Sequence, residues 1–412
     1  MRQDWTAAQY TLFRGLLGAY LLVHFLHLLP WGAELFSNRG MLSDAGASPL
    51  FHLFPNVLAL SDSPLAVTAL LVAGACAALA LIAGARDKSA ALAMWYILAC
   101  LYTRNPLIAN PGLPYLGWML LAHLFIPHAT LPRTPASSHT APRAAWEMPR
   151  PIFIAAWVVL ALSYSYSGYT KLLSPSWVSG DTIGYVLQNP LARDYFLRDL
   201  FLALPESALR ALTWLVMYVE LAFAPLALFS RLRCALWTVM LAVQVGFLCL
   251  LNFADLTAPM LLFHLLTFDP AWIKGTAARA QETVYYDGRC GFCHWVVRFV
   301  LAEDRAAHFR FAPLQGASFA SALPQGIRRG LPDSFVVIDD ADSVRLRSDA
   351  VIHVMRRLGG LWGVFAIALA ALPRPLRDLG YAGVGRIRHR LFRAPDDMCP
   401  IVPIALRQRF RP

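Results

Sequence analysis

Two cysteines in the C-terminal third of the chain have the spacing of a dithiol redox centre. The segment reads Cys290-Gly291-Phe292-Cys293. A thiolate on the first cysteine can attack a disulfide, and the second cysteine can then attack the mixed disulfide. A zinc site needs further ligands at suitable spacing, but His294 directly follows Cys293 and the sequence has no second Cys-x-x-Cys pair. The pattern therefore favours thiol–disulfide exchange, and no metal is expected.

The residues around the cysteines predict a strand, a turn and a helix in that order. Residues 283–286 form a short apolar run rich in β-formers, Asp287-Gly288 makes a turn, and residues 294–301 carry an apolar stripe with helical spacing. The cysteines thus fall at a strand-to-helix junction. The N-terminus of a helix has partial positive charge and free N–H groups, which favour a thiolate at Cys290.

The remainder of this region predicts an α/β domain of thioredoxin-like fold. Further strands are expected over residues 309–312 and 334–338. A turn that begins at residue 339 then leads to residues 344–346, and a helix is expected over 349–358. Residues 360–372 are strongly apolar, but a stretch of about 13 residues is too short to span a bilayer. We expect a buried or interfacial helix there. Residues 374–411 are rich in arginine, which predicts either a solvated face or one turned toward anionic lipid headgroups.

This region resembles the DCC family of thiol-disulfide oxidoreductases over residues 283–402. Asp287-Gly288-Arg289-Cys290-Gly291-Phe292-Cys293 is similar to the family's Asp-Gly-x-Cys-x-x-Cys signature. The Arg-His-Arg-Leu-Phe-Arg stretch of residues 388–393 and residues 396–400, which include Cys399, are similar to its C-terminal end. The resemblance implies disulfide exchange through Cys290 and Cys293, with Asp287 in the site. Cys399 is either a third redox thiol or a structural cysteine. Pro332 precedes the third strand, where thioredoxin-like folds place a cis-proline beside the cysteines, although it also suits an ordinary turn.

Composition and hydropathy place the rest of the chain in a membrane. Of the 412 residues, 58% are hydrophobic and 15% are charged, whereas soluble domains have about 25% charged residues. About eight helical spans are predicted, over residues 10–30, 64–85, 89–103, 113–131, 151–168, 210–230, 232–253 and 256–269. The third and the last are short, so seven spans are the alternative.

The charged loops predict the orientation of these spans. Basic residues are about twice as numerous in the loops on the side of the N-terminus, which places that side in the cytoplasm. Eight spans place the C-terminus in the cytoplasm too, whereas seven would move the C-terminal domain to the other side. The expected location is a bacterial inner membrane. Cytoplasmic thiols are kept reduced, so a reductase or electron donor is expected. The net charge of +11 fits this membrane pattern, and nucleic acid is not an expected partner.

Two charged residues in the membrane region call for an explanation. Glu220 lies in an apolar run where a carboxyl is costly without a cation, a proton or a functional pocket. Lys171 follows a semi-polar stretch at the end of a span. By its physical chemistry alone, this lysine is more simply explained as an anchor at the membrane interface than as a base.

Residues 1–275 resemble the HTTM module, the membrane region related to vitamin K-dependent gamma-carboxylase. The similar residues are Ser167 to Leu172, then Trp177 and Gly180. The resemblance implies that Lys171 is the base that starts oxygenation of a reduced quinone, with Glu220 as a nearby polar group. The large lumenal domain of the carboxylase has no counterpart here, so protein carboxylation is not expected, while quinone or lipid-like ligand chemistry is.

These patterns divide the chain into four parts. They are an HTTM-like membrane domain (1–275), a linker (276–282), a DCC-type thioredoxin-like redox domain (283–402) and a basic tail (403–412). The function expected first is a membrane-tethered thiol-disulfide oxidoreductase, with membrane lipid and a disulfide protein or small thiol as partners. The alternative is a transporter or lipid-binding scaffold that a thiol sensor domain regulates. A quinone is the one cofactor considered, and its binding residues are unknown.

Overall fold

The chain folds into two compact units in a computed structural model, which describes residues 5–108, 110–129, 146–277, 280–325, 335–339, 341–392 and 404–411. One unit comprises residues 12–127 and 148–268, and the other comprises residues 1–11, 128–147 and 269–412. Pro332 and Cys399 lie outside the described residues.

The first unit is built from helices, which the structure also places at each of the eight predicted spans. The helices are α1 (Ala7–Leu28), α2 (Gly32–Phe36), α3 (Pro64–Ala83), α4 (Asp87–Arg104), α5 (Leu113–Phe125), α6 (Arg150–Leu172), α7 (Pro175–Ser179), α8 (Thr182–Gln188), α9 (Phe196–Leu202), α10 (Glu206–Ala227), α11 (Arg233–Leu250) and α12 (Ala254–Thr267). Their formation follows from long apolar runs closed by start and stop signals. For example, Ser63 caps α3 through a hydrogen bond from Ala66 N, and Gly84 ends it in a left-handed conformation.

Five helical segments are long and apolar enough to cross a membrane. They are Ala7–Phe36, Pro64–Ala83, Arg150–Leu172, Glu206–Ala227 and Arg233–Leu250. The other three predicted spans differ for simple reasons: α5 and α12 have 13 and 14 residues, and α4 carries charges at both ends. A straight helical span needs about 17–25 residues. Five candidate spans among the described residues indicate an integral membrane protein, and the chain also contains shorter apolar helices.

Helices α6 and α10 pack backbone against backbone. Gly168 permits this approach, because a Cβ atom there would lie 2.2 Å from the nitrogen of Leu221. Pro225 interrupts α10 and has no N–H to donate to the Leu221 carbonyl. The Ser165 hydroxyl of α6 donates to that carbonyl at 3.0 Å and accepts from Ala224 N at 2.8 Å. This close crossing brings Lys171 and Glu220 together.

The C-terminal domain contains a four-stranded mixed sheet with the strand order β2-β1-β3-β4. Its elements are β1 (Glu282–Tyr286), α13 (Gly291–Glu303), β2 (Phe309–Pro313), α14 (Ala317–Ala322), β3 (Val336–Ile338), β4 (Val344–Leu346), α15 (Arg347–Leu358), α16 (Gly360–Ala371), α17 (Arg374–Leu391) and α18 (Ile404–Arg407). Strands β1 and β2 are parallel and joined through α13, whereas β3 runs antiparallel to both β1 and β4. This mixed α/β architecture confirms the predicted class.

The core of this domain lies between the sheet and α13. Strand β1 is buried along its whole length, as expected for a central strand covered on both faces. Val284 pairs with Phe311 on one side and with Val337 on the other, and none of the three is exposed to solvent. The edge of β2 is also covered, because Phe311 N donates to Arg409 O at 2.8 Å. The last described residues therefore pack against the domain and protect the sheet edge.

Candidate active site

Cys290 occupies the position directly before helix α13. Its backbone is extended, with φ −110° and ψ 115°, and its carbonyl accepts the first helical bond from His294 N at 3.1 Å. Cys293 lies in the first turn of the helix, and both residues belong to the same core cluster. Both are free thiols, with exposed fractions of 1% and 7%. The strand-to-helix placement of the cysteines follows the sequence prediction.

Asp287 holds the loop that presents the cysteines. Its carbonyl accepts from Cys290 N at 3.2 Å, and its Oδ1 accepts from Arg289 N at 3.0 Å. Gln315, which follows β2, donates to the same Oδ1 at 3.0 Å and accepts from Gly288 N at 3.1 Å. The buried carboxylate therefore fixes the turn between β1 and α13, a role that the local sequence does not reveal.

Arg388 is a site residue that the sequence did not single out. It projects from α17, and its Nη1 lies 3.8 Å from Cys293 Sγ. Its Nη2 lies 3.7 Å from Asp287 Oδ2, with both side chains less than a tenth exposed. The sequence signal for it was the Arg-His-Arg-Leu-Phe-Arg stretch of residues 388–393, whose resemblance to the family's C-terminal end assigned no role to a particular arginine. The structure thus adds a buried cation to the dithiol.

The environment of Cys293 keeps its thiol protonated at neutral pH. Burial raises the pKa of Cys293 to about 12, and the neighbouring Cys290 acts in the same direction. Arg388 opposes this shift by favouring the thiolate, while Asp287 adds to it. Cys293 is therefore a poor nucleophile until its surroundings change, which suits a cysteine that acts second in an exchange.

The predicted residues of the membrane region form a separate group. Lys171 Nζ donates to a carboxylate oxygen of Glu220, so that a partly buried ammonium faces a buried carboxylate. The same nitrogen lies 2.9 Å from Ser167 Oγ and 4.8 Å from the ring centre of Trp177. Lys171, Glu220 and Trp177 are thus brought together as the pattern implied, within the unit that holds the long apolar helices.

A polar cluster lies nearer the N-terminal end of α6, in the same unit. The Tyr164 hydroxyl lies 2.7 Å from His264 Nε2 and accepts from Gln244 Nε2 at 3.2 Å. All three side chains are buried. Polar groups inside a helical bundle are costly unless they bond to one another, and this cluster gives part of the bundle a polar interior.

Comparisons with known proteins give matches to the C-terminal part of the chain. The profile of the DCC1-like thiol-disulfide oxidoreductase family matches residues 284–394. The uncharacterized protein YuxK of Bacillus subtilis is 33% identical over 136 residues, which are 32% of this chain and 95% of that protein. A chloroplastic DCC family protein of Arabidopsis thaliana is 29% identical over 129 residues, which are 30% of this chain and 75% of that protein. No solved structure matches this chain.

The matched residues include Asp287, both cysteines, Gln315 and Arg388. The loop, the dithiol and the arginine from α17 therefore all lie within the family's domain. Through this C-terminal domain, the chain belongs to the DCC1-like thiol-disulfide oxidoreductase family.

Proposed function

We propose that the protein is a membrane-tethered thiol-disulfide oxidoreductase that reduces disulfides through Cys290 and Cys293. One observation carries this proposal: Cys290 stands at the N-terminus of α13 while Cys293, one turn later, is kept protonated by burial. In the proposed order Cys290 attacks the substrate first, because the residue before a helix stands at the positive end of the helix dipole, which favours a thiolate.

The exchange proceeds in two steps that move two electrons to the substrate. The Cys290 thiolate attacks one sulfur of a substrate disulfide, which forms a mixed disulfide and releases one substrate thiol. Cys293 then loses its proton and attacks the Cys290 sulfur. This step breaks the mixed disulfide, releases the second substrate thiol and leaves a Cys290–Cys293 disulfide. Arg388 favours the second step because its positive charge stabilises the Cys293 thiolate.

The direction of the reaction depends on the compartment. The loop charges favour a cytoplasmic N-terminus. Eight spans would bring the C-terminal domain to that same side, where a thiol pool would return the dithiol to its reduced form, whereas the five longest helices alone would place it on the opposite side. The long apolar helices would hold the domain at the membrane. The substrate class is then a disulfide in a protein or small molecule near that surface.

Cysteine variants of the full-length protein in nanodiscs test this proposal. With dithiothreitol as electron donor and insulin as substrate, Cys290→Ser should lose disulfide reduction. Cys293→Ser should accumulate a mixed disulfide that a thiol-trapping gel shift detects. Cys249→Ser, which replaces an exposed cysteine of α11, is the matched control and should retain full activity. Full activity in Cys290→Ser would refute the proposal.

The second candidate function is binding of a quinone-type ligand in the membrane region. It is favoured by the Lys171–Glu220 pair beside Ser167 and Trp177, because charges are rare within spans and tend to mark functional sites. Binding of a soluble menaquinone analogue to the protein in nanodiscs can be measured by quenching of tryptophan fluorescence. Lys171→Met should abolish binding, whereas Lys274→Met, outside the spans, should not. Equal affinity in Lys171→Met would exclude a role for this lysine.

A further inference from the structure

The exposed apolar side chains of the C-terminal domain are concentrated on two consecutive helices. Between residues 269 and 411, the large apolar side chains exposed in the described parts all lie on or beside α16 and α17, except Val344. They are Phe365, Ile367, Leu372, Leu376, Leu379, Val384, Ile387 and Phe392. Scattered exposed apolar residues are normal, but a contiguous group marks an interaction surface. We call residues 360–392 the apolar helix pair.

The outer face of α17 is an apolar stripe. Leu376, Leu379 and Ile387 are spaced by three and eight residues, which places them along one side of a helix. Their exposed fractions are 58%, 64% and 48%. The opposite side carries Tyr381, whose hydroxyl accepts from Phe335 N at 2.9 Å, and Arg388 at the thiol pair. The helix therefore buries its polar anchors and presents its apolar residues outward, the reverse of an ordinary surface helix.

The rim of this stripe is basic. Arg386 and Arg390 are exposed, and at 100° per residue both fall beside the apolar side chains. The one acidic residue of α17, Asp378, bonds to the Ser348 hydroxyl. An apolar stripe with a cationic rim complements an interface that is apolar below and anionic above.

We propose that the apolar helix pair lies in the headgroup region of an anionic bilayer, with the apolar stripe of α17 directed toward the acyl chains. The same chain would hold this domain next to a bilayer, because α12 and the long apolar helices precede it in the sequence. A second copy of the chain is a poorer occupant, since it would place its own arginines against Arg386 and Arg390. The α16 helix, with 12 residues, is too short to span but long enough to lie in the interface.

Photocrosslinking in nanodiscs tests this placement on the full-length protein. Benzoylphenylalanine is installed at Leu379 or at Ile387, and the matched control is at Val344, an exposed apolar position of β4 in the same domain. Phospholipid adducts are then counted by mass spectrometry. We expect several-fold more adducts at Leu379 and Ile387 than at Val344. We also expect a higher yield in discs with phosphatidylglycerol than in discs of phosphatidylcholine alone.

Two outcomes would overturn the proposal: an adduct yield at Leu379 no higher than at Val344, or crosslinks from Leu379 mainly to a second copy of the chain. Paired Arg386→Gln and Arg390→Gln substitutions should remove the preference for phosphatidylglycerol, and an unchanged preference would contradict the role of the cationic rim. If the unmodified protein reduces disulfides, the same activity in a substituted protein verifies that this protein is folded. The readout is lipid contact, so its result is separate from that of the thiol assay.

Hydrogen exchange tests the same placement on the unmodified chain, so its result does not depend on whether the substituted proteins fold. Amides of α17 should exchange several-fold more slowly in anionic discs than in neutral ones, while those of α15 in the same domain should not change. Equal exchange of α17 in both kinds of disc would count against anionic lipid as the occupant.

Discussion

Arg388 Nη1 and Cys293 Sγ lie 3.8 Å apart although 95 residues separate them in the chain. The arginine reaches the sulfur from α17, while the cysteine belongs to the first turn of α13. A buried guanidinium beside a thiol favours the thiolate. This pairing links the last long helix of the domain to the second step of disulfide exchange.

Replacing Arg388 should slow the second step more than the first. Arg388→Met removes the charge that lowers the pKa of Cys293, so less thiolate forms against the mixed disulfide. The higher nucleophilicity of a thiolate with a raised pKa offsets part of this loss, so the rate should fall several-fold. Quenched-flow trapping of the mixed disulfide, followed by mass spectrometry, measures its decay.

The control for this variant is Arg377→Met, on the same helix. Arg377 Nη2 pairs with Asp349 at 2.7 Å. This substitution should leave the decay of the mixed disulfide unchanged. If both variants slow the decay equally, Arg388 acts through the packing of α17 and not through its charge.

Glu303 should make the stability of the C-terminal domain depend on pH. Its Oε2 accepts from Thr6 Oγ1 at 2.7 Å and from Trp362 Nε1 at 2.5 Å, and burial raises the pKa of this carboxyl. The folded state therefore binds this proton more tightly than the unfolded state. Its contribution is fully present below the ordinary glutamate pKa and is lost as the pH rises through the folded value.

Glu303→Gln keeps an acceptor for both bonds and removes the titration. The variant should gain stability relative to the native protein as the pH rises from 4 toward 7. Thermal unfolding in nanodiscs across this range measures the difference, with the exposed Glu147→Gln as control. A constant difference between variant and native protein at all pH values would show that Glu303 does not change its protonation.

The Lys171–Glu220 pair should stabilise the membrane bundle only as a pair. Glu220 is almost fully buried, so Lys171→Met leaves its carboxylate without a cation and should cost about 3–5 kcal/mol. The double variant Lys171→Met, Glu220→Gln should recover most of this loss. Arg198→Met, which breaks the exposed pair with Asp194, should cost at most about 1 kcal/mol. Thermal unfolding compares the three, and additive effects in the double variant would argue against direct coupling.

Ser165 should matter only while Pro225 interrupts α10. Ser165→Ala removes the hydroxyl that satisfies the Leu221 carbonyl, at a cost of about 1–2 kcal/mol. Pro225→Ala restores an N–H donor for that carbonyl. In the Pro225→Ala background, Ser165→Ala should therefore cost much less, which a double-mutant cycle on unfolding temperatures can measure. An equal cost in both backgrounds would mean that Ser165 stabilises the helix crossing in another way.

Local signals predicted much of the fold. Strands β1 and β2 lie where short runs of β-forming residues predicted them, and the eight apolar stretches all became helices. Strand β4 follows the predicted turn, although its residues were not predicted to form a strand. The number of helices long and apolar enough to cross a membrane could not be predicted from the apolar runs alone. The charged ends of α4 and the short lengths of α5 and α12 set them apart from the other five. Proposed roles for Pro332 and Cys399 remain predictions.

The sequence by itself determined that a dithiol lies at the junction between a strand and a helix. The spacing of the apolar residues, the turn residues and the cysteine spacing that indicate this junction all lie within about twenty consecutive residues. Only the tertiary structure decided which groups surround that dithiol. Gln315 and Arg388 reach it from other parts of the domain. Lys171 and Glu220, which are 49 residues apart in the sequence, lie on two different helices and form an ion pair. Such contacts depend on how helices and strands pack, and side-chain packing leaves no periodic trace in a single sequence.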